Sequence, residues 1–150
     1  MKVRDIMSPN PVCCLPTDSA QSVAALLRDH NVGSLPVVNN KESGVLIGMV
    51  TDRDLCCSVI AGGLDPRSTK IDKLFSHDVV TCRDGENVDK CERAMQDHQV
   101  RRIPIVDAEG RCIGIVSQAD LALKEKQPEK VQKTIGEISK PEGSGGHIAA

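Results

Sequence analysis

The 150-residue sequence predicts an α/β (α+β) fold built from two copies of one β-α-β-β-α unit. The first observation is internal repetition. Shifted by 68 residues, Ser8, Val12, Cys14, Asp29, His30, Val32, Pro36 and Val38 fall on Ser76, Val80, Cys82, Asp97, His98, Val100, Pro104 and Val106. After a two-residue deletion the shift becomes 66, and Ile47-Gly48, Val50 and Asp54-Leu55 fall on Ile113-Gly114, Val116 and Asp120-Leu121. The second observation is periodicity: in each copy a helical stripe is followed by two apolar runs joined by a turn. The third is composition, 39% hydrophobic and 27% charged, the balance of a globular chain long enough to bury a core without staples.

The elements follow in order. Pro11 to Leu15 reads as a short extended run. Thr17-Asp18 open a helix, with Asp18 and Gln21 resembling a capping box. Ala20, Val23, Ala24 and Leu27 form its buried stripe, and Val88, Cys91 and Met95 keep the same phase in the second copy. His30-Asn31 and His98-Gln99 end these helices as caps. Ser34-Leu35-Pro36-Val37-Val38 reads as a strand whose proline argues for an edge or a strand end. The run from Val45 to Val50 is a strand buried on both faces, and a second helix runs from Thr51 toward Ala61. The first repeat is placed at 1–62, a Gly- and Pro-containing linker at 63–69 and the second repeat at 70–126. A helix follows at 127–140, with the stripe Val131, Ile135 and Ile138 docking on the body or on a partner, then a disordered tail at 141–150.

Charge and composition remove whole classes of function. Nineteen Lys and Arg against twenty-one Asp and Glu give a net of −2, and one Phe with no Tyr or Trp leaves nothing to stack on bases, so nucleic acid is not an expected partner. No apolar run is long enough to span a membrane and no signal segment opens the chain, so a cytoplasmic location without membrane partners is expected. The seven cysteines include the adjacent pairs Cys13-Cys14 and Cys56-Cys57 but no C-x-x-C spacing. They read as buried, reduced small hydrophobes, and no metal site is expected. Neither a Ser–His–Asp nor a Cys–His set suggests itself, the P-loop lysine is missing and no GxGxxG occurs, so no catalysis is expected.

One motif carries chemistry, and it occurs twice. Gly48-Met49-Val50-Thr51-Asp52-Arg53-Asp54 and Gly114-Ile115-Val116-Ser117-Gln118-Ala119-Asp120 each end a strand and start a helix. The Thr51 or Ser117 hydroxyl sits among unpaired backbone N–H groups, an environment that favours a phosphate. Asp54 or Asp120, three residues on, offers two acceptor oxygens to the two hydroxyls of a ribose. Gly48 and Gly114 allow close approach of a ligand to the backbone. A capping box explains the same letters, and that reading competes with the ligand chiefly for the carboxylate.

These motifs, with Met7-Ser8, Leu35-Pro36-Val37-Val38 and Ile103-Pro104-Ile105-Val106, resemble the CBS domain, named for cystathionine β-synthase, in tandem over about residues 1–126. Ala61-Gly62-Gly63-Leu64-Asp65-Pro66 and His98-Gln99-Val100-Arg101-Arg102 are similar to stand-alone bacterial CBS-pair proteins of the hypoxic-response type. The resemblance implies two repeats packed about a pseudo-twofold axis, with clefts that take AMP, ADP, ATP, S-adenosylmethionine or NAD(H), and pairing into a homodimer. It places adenine between the segment near Val12 or Val80 and the strand holding Pro36 or Pro104, with Ser8 and Ser76 among the contacts. No cofactor is required; the adenine nucleotide is a regulatory ligand that changes contact with a regulated protein. Arg53 matches Ala119, while Arg101-Arg102 match uncharged Gly33-Ser34, so the two sites are expected to differ toward anions, with Arg102 the better phosphate partner. Two other functions stay open: a dimerising interaction module without a ligand, and a cysteine-based response to oxidant or zinc.

Overall fold

A computed structural model describes residues 1–124 and 128–141. In chain order the elements are α1 (Val3–Ile6), β1 (Ser8–Pro9), α2 (Ala20–Asp29), β2 (Ser34–Val38), β3 (Leu46–Thr51), α3 (Asp52–Leu55), β4 (Cys82–Arg83), α4 (Val88–His98), β5 (Arg102–Val106), β6 (Cys112–Ser117), α5 (Gln118–Lys124) and α6 (Pro128–Ile138). Short π-helical and 3-10 turns lie at Cys56–Ile60 and Ile71–Lys73. The predicted tail at 141–150 lies outside the described residues except for Pro141.

The described residues form two compact units: Val12–Asp78, and Met1–Pro11 together with those from Val79 onward. In the first, β2 and β3 pair antiparallel, Ser34 opposite Thr51 and Leu35 opposite Val50. Val23 and Leu27 of α2, Leu35, Val37, Val50, Leu55, Val59, Ile71 and Phe75 fill its core. Each such side chain removed from water contributes roughly 1.5–3 kcal/mol, which is what holds so short a helix against a two-stranded sheet. In the second unit the sheet order is β1-β6-β5-β4, and Val88, Cys91 and Met95 of α4 meet Ile103, Ile105, Val116 and Leu121.

The repeats exchange their leading segments. β1 of the N-terminus pairs with β6, Ser8 opposite Ile115. The equivalent Ser76 pairs with Met49 of β3. Each unit thus takes its first short strand from the chain ahead of the other repeat. The two motif glycines exist for this pairing. A Cβ on Gly48 would stand 2.3 Å from the Ser76 carbonyl oxygen and 2.4 Å from Phe75 Cδ2; on Gly114 it would meet Met7 Sδ at 2.5 Å. The close approach the sequence assigned to a ligand is therefore made by the protein's own chain.

Several local expectations are corrected. α2 is capped by Ser19, whose Oγ accepts from Ser22 N at 3.1 Å, while Asp18 turns back to accept from Leu15 N at 2.9 Å. A hydroxyl at the capping position suits the N2 or N3 amide, and Asp18 lies one residue too early. Ala24 is exposed, so the stripe of α2 is Ala20, Val23 and Leu27. The proline strand β2 stands at the edge of its two-stranded sheet as expected, whereas its counterpart β5 is flanked by β6 and by β4, which joins it at Ile105 and Val106 just beyond Pro104. The second helix is α-helical for one turn only and widens into the π turn before Gly63, at φ 69°, turns the chain. Asn31 and Gln99, at φ 52° and 51°, end α2 and α4 as anticipated. The α6 stripe is buried within its own unit through Val131, Thr134 and Ile138, with Gln96 Nε2 donating to Thr134 Oγ1 at 2.8 Å across the α4–α6 contact.

The cysteines divide by location. Cys14, Cys82 and Cys91 are buried, whereas Cys56 and Cys57 are exposed, contrary to the uniform burial expected of them. Burial pushes the Cys14 thiol from 9.0 up to about 12, and nearby Asp18 and Cys13 push the same way. Between about pH 9 and the folded value the unfolded chain sheds this proton and the folded chain keeps it. Stability is therefore complete below the unfolded thiol's value and declines as pH rises through the window. The melting midpoint is expected to fall between about pH 8 and pH 10.5, and to fall less in Cys14→Ala. A midpoint equally steep in both proteins would contradict this assignment.

Candidate functional site

In the Val12–Asp78 unit, β3 runs out at Thr51 and α3 begins. Thr51 is buried and caps the helix: its Oγ1 accepts from Asp54 N at 3.1 Å, and Asp54 Oδ2 accepts from Thr51 N at 2.9 Å. The capping box is thus real, but it consumes one carboxylate oxygen. Among the described residues nothing donates to Asp54 Oδ1. Arg53 next to it is exposed and makes no ion pair with any described residue. Opposite Thr51 in the strand register, the Ser34 hydroxyl is buried and has no hydrogen-bond partner among the described residues. A buried hydroxyl left unpaired costs about 1–3 kcal/mol, a cost that an incoming acceptor or donor removes.

The second copy is built alike and furnished differently. Ser117 N donates to Asp120 Oδ2 at 2.8 Å, Ser117 Oγ donates to the same oxygen at 2.8 Å, and Asp120 N donates to Ser117 Oγ at 3.1 Å. Asp120 Oδ1 faces Ser8 Oγ at 3.4 Å and Lys124 Nζ at 3.6 Å. Lys124 Nζ also donates to the Ile6 carbonyl at 2.9 Å, tying α5 to the N-terminal segment. On the other side of α5, Arg101, Arg102, Ser117, Ala119 and Ile135 of α6 border a cavity of about 370 Å³. Asp120 is not among its walls.

The fold sorts the sequence-predicted residues into two sets. Val12, Pro36, Thr51, Arg53, Asp54 and Ser76 belong to one unit, and Ser8, Val80, Arg101, Arg102, Pro104, Ser117 and Asp120 to the other. Ser8 therefore stands with Asp120 and Ser76 with the Thr51 strand, the reverse of their chain order. Cys14 N donates to Pro36 O at 3.0 Å, so the segment after Val12 runs beside the proline strand, and Cys82 stands likewise opposite Ile105 after Pro104. Pro36 and Pro104 are buried and Val12 and Val80 half-buried, an apolar set without any aromatic ring. Sequence reasoning missed Lys124, although its spacing of four from Asp120 on one helix face was available. It placed Ile135 in the apolar stripe of the last helix but not at the wall of this cavity. Among the described residues no group of three or more His, Cys, Asp or Glu is placed to hold a metal ion. No described helix is long and apolar enough to cross a membrane.

Two sheet-and-helix repeats, each with a Thr/Ser-x-x-Asp turn, define a tandem CBS protein: the CBS domain family matches residues 3–59 and 71–125, and the chain belongs to it. The chain is 35% identical over 137 residues to the CBS domain-containing protein YhcV of Bacillus subtilis (strain 168), spanning 91% of this chain and 94% of that one. Hypoxic Response Protein I, solved with two coordinated zinc ions, superposes with a TM-score of 0.73 at 31% identity over 83% of this chain and 98% of its own. The CBS domain pair of protein MJ0100, in complex with 5′-methylthioadenosine and S-adenosyl-L-methionine, gives 0.71 at 28% identity over 82% and 98%. CBSX2 in complex with AMP gives 0.70 at 28% identity over 84% and 98%.

Proposed function

We propose that this chain is a regulatory module that binds an adenosine-containing ligand and passes the binding on as a change in repeat packing or in the geometry of a homodimer. The observation that carries the reading is the Asp54 carboxylate, which closes the capping box of α3 with one oxygen while, among the described residues, the other oxygen and the neighbouring Arg53 guanidinium have no partner. A ribose needs an acceptor of this kind, and a phosphate needs the cation and the hydroxyl next to it. AMP in CBSX2, and S-adenosyl-L-methionine with 5′-methylthioadenosine in MJ0100, support the same ligand class.

In this reading Asp54 and Asp120 accept the ribose hydroxyls, Thr51, Ser117, Arg53, Arg101 and Arg102 serve the phosphate, and Val12 with Pro36, or Val80 with Pro104, flank the adenine. Ser8 and Ser76 sit at the edges of these sites. The chain acts as a sensor rather than an enzyme, and coupling of about 1–3 kcal/mol between ligand and partner surface suffices for signalling. Cys56 and Cys57, exposed side by side, favour a second reading in which thiol chemistry is the signal.

Thermal melts followed by circular dichroism test the first reading, because a chain without Trp or Tyr has little intrinsic fluorescence. AMP, ADP, ATP, S-adenosylmethionine and NADH are added in turn. A ligand at about 100 times its Kd adds about 2.7 kcal/mol and raises the midpoint by several degrees. An unmoved midpoint with all five would refute the nucleotide reading.

A further inference from the structure

The two motif carboxylates are alike in sequence and unlike in what already occupies them. A carboxylate offers about four lone-pair positions. Asp120 Oδ2 takes the Ser117 amide and hydroxyl, both at 2.8 Å, and Oδ1 lies against Ser8 Oγ at 3.4 Å and Lys124 Nζ at 3.6 Å. Its side chain is only 14% exposed. Asp54 Oδ2 takes the Thr51 amide alone, and Oδ1 takes nothing from the described residues. The difference traces to particular residues. Where the repeat alignment puts Lys124 in the second copy, the first has Ser58, too short to reach an oxygen three or four residues away. Ser76, the counterpart of Ser8, pairs by its backbone with Met49 and makes no bond to Asp54.

Resting on the reading of these aspartates as ribose acceptors, we infer that Lys124 is a specificity-determining residue: an internal competitor that holds Asp120 and leaves Asp54 as the ribose site filled first. Lys124 is well placed to hold on, because its ammonium is anchored at the same time by the Ile6 carbonyl at 2.9 Å. A ribose reaching Asp120 must take Oδ1 from the Lys124 ammonium and the Ser8 hydroxyl, and in doing so loosens a tether of the N-terminal segment. A ribose reaching Asp54 Oδ1 displaces no donor of the described residues.

The test is calorimetric titration of AMP into the full chain and three variants, D54N, K124M and D54N/K124M. The wild type is expected to bind one AMP tightly. D54N removes that event and exposes the weaker Asp120 site by itself. Adding K124M to D54N is expected to strengthen this remaining site by about tenfold or more. The sign is decisive, because a lysine that served only as a positive charge near an anion would make its removal weaken AMP binding. Unchanged or weaker binding in D54N/K124M relative to D54N would overturn the inference, as would two equal sites in the wild type. AMP binding in none of the four proteins would overturn the ribose-acceptor reading and the inference with it. A second readout is independent of ligand: K124M by itself should speed amide hydrogen exchange in Met1–Pro11, whose tether Lys124 supplies. Unchanged exchange there would mean that the Ile6 contact holds nothing.

Discussion

Gly48→Ala should be strongly destabilising, lowering stability by about 3 kcal/mol. The added Cβ would lie 2.3 Å from the Ser76 carbonyl oxygen and 2.4 Å from a Phe75 ring carbon, and neither neighbour can yield cheaply. The oxygen belongs to backbone held by the exchange of Met49 N→Ser76 O at 3.0 Å and Ser76 N→Met49 O at 2.9 Å, and Phe75 is buried in the core. Separating the strands loses both bonds and opens the core beside them. For a chain of this size that corresponds to a midpoint lower by roughly 6–12 °C. Gly114→Ala makes the control: its Cβ meets the thioether of Met7, which can swing aside, and Ser8 O only at 3.3 Å, so its loss should be about 1 kcal/mol. Gly85→Ala, with nothing within 4 Å, should be neutral or slightly stabilising. Equal midpoints for Gly48→Ala and Gly85→Ala, measured by circular dichroism, would show that the segment carrying Ser76 is not seated on β3 in solution.

The second large effect is on binding. Asp54→Asn should weaken AMP binding by about 100-fold while moving the midpoint of the free protein little. The asparagine carbonyl can still accept from Thr51 N, as Asp54 Oδ2 does at 2.9 Å, so the cap survives. The amide nitrogen then faces the ligand as a donor with no charge, where two ribose hydroxyls need an acceptor. Loss of two charge-assisted bonds at about 1.5 kcal/mol each accounts for the magnitude. Asp54→Ala should show the same loss of binding and, in addition, about 1 kcal/mol of destabilisation from the missing cap. Wild-type affinity in Asp54→Asn would remove Asp54 from the ligand site.

Much of this architecture is written locally. The stripes Val23–Leu27 and Val88–Cys91–Met95, the hairpins and the left-handed ends at Asn31 and Gln99 follow from periodicity and residue chemistry, and they stand where those rules put them. The Thr51–Asp54 and Ser117–Asp120 turns were legible for the same reason: the spacing of a capping box is itself a geometric statement. The exchange of leading segments was not legible. β1 is two residues long, and nothing within Met7-Ser8-Pro9 says whether it pairs with β3 or with β6. The glycines hold that information only once the partner is known, since a missing side chain reads alike for a ligand and for a strand. The exposure of Cys56 and Cys57 was missed because residue type rather than helix face set the expectation: Leu55 and Val59 turn toward the core and the two cysteines between them do not. Lys124 became informative only when the Ile6 carbonyl was seen to reach its ammonium, and Ser8 to reach the Asp120 carboxylate, from more than a hundred residues away.

The proposed function rests on one structural claim, that a single aspartate turn caps its helix and receives a nucleoside at the same time. The most direct measurement is a crystal structure of the chain grown with AMP. Asp54 Oδ2 is expected still to accept from Thr51 N while the ribose hydroxyls donate to Asp54 Oδ1, with Lys124 still on Asp120 wherever that second site is empty. AMP bound elsewhere on the chain, with Asp54 Oδ1 left facing water, would contradict it.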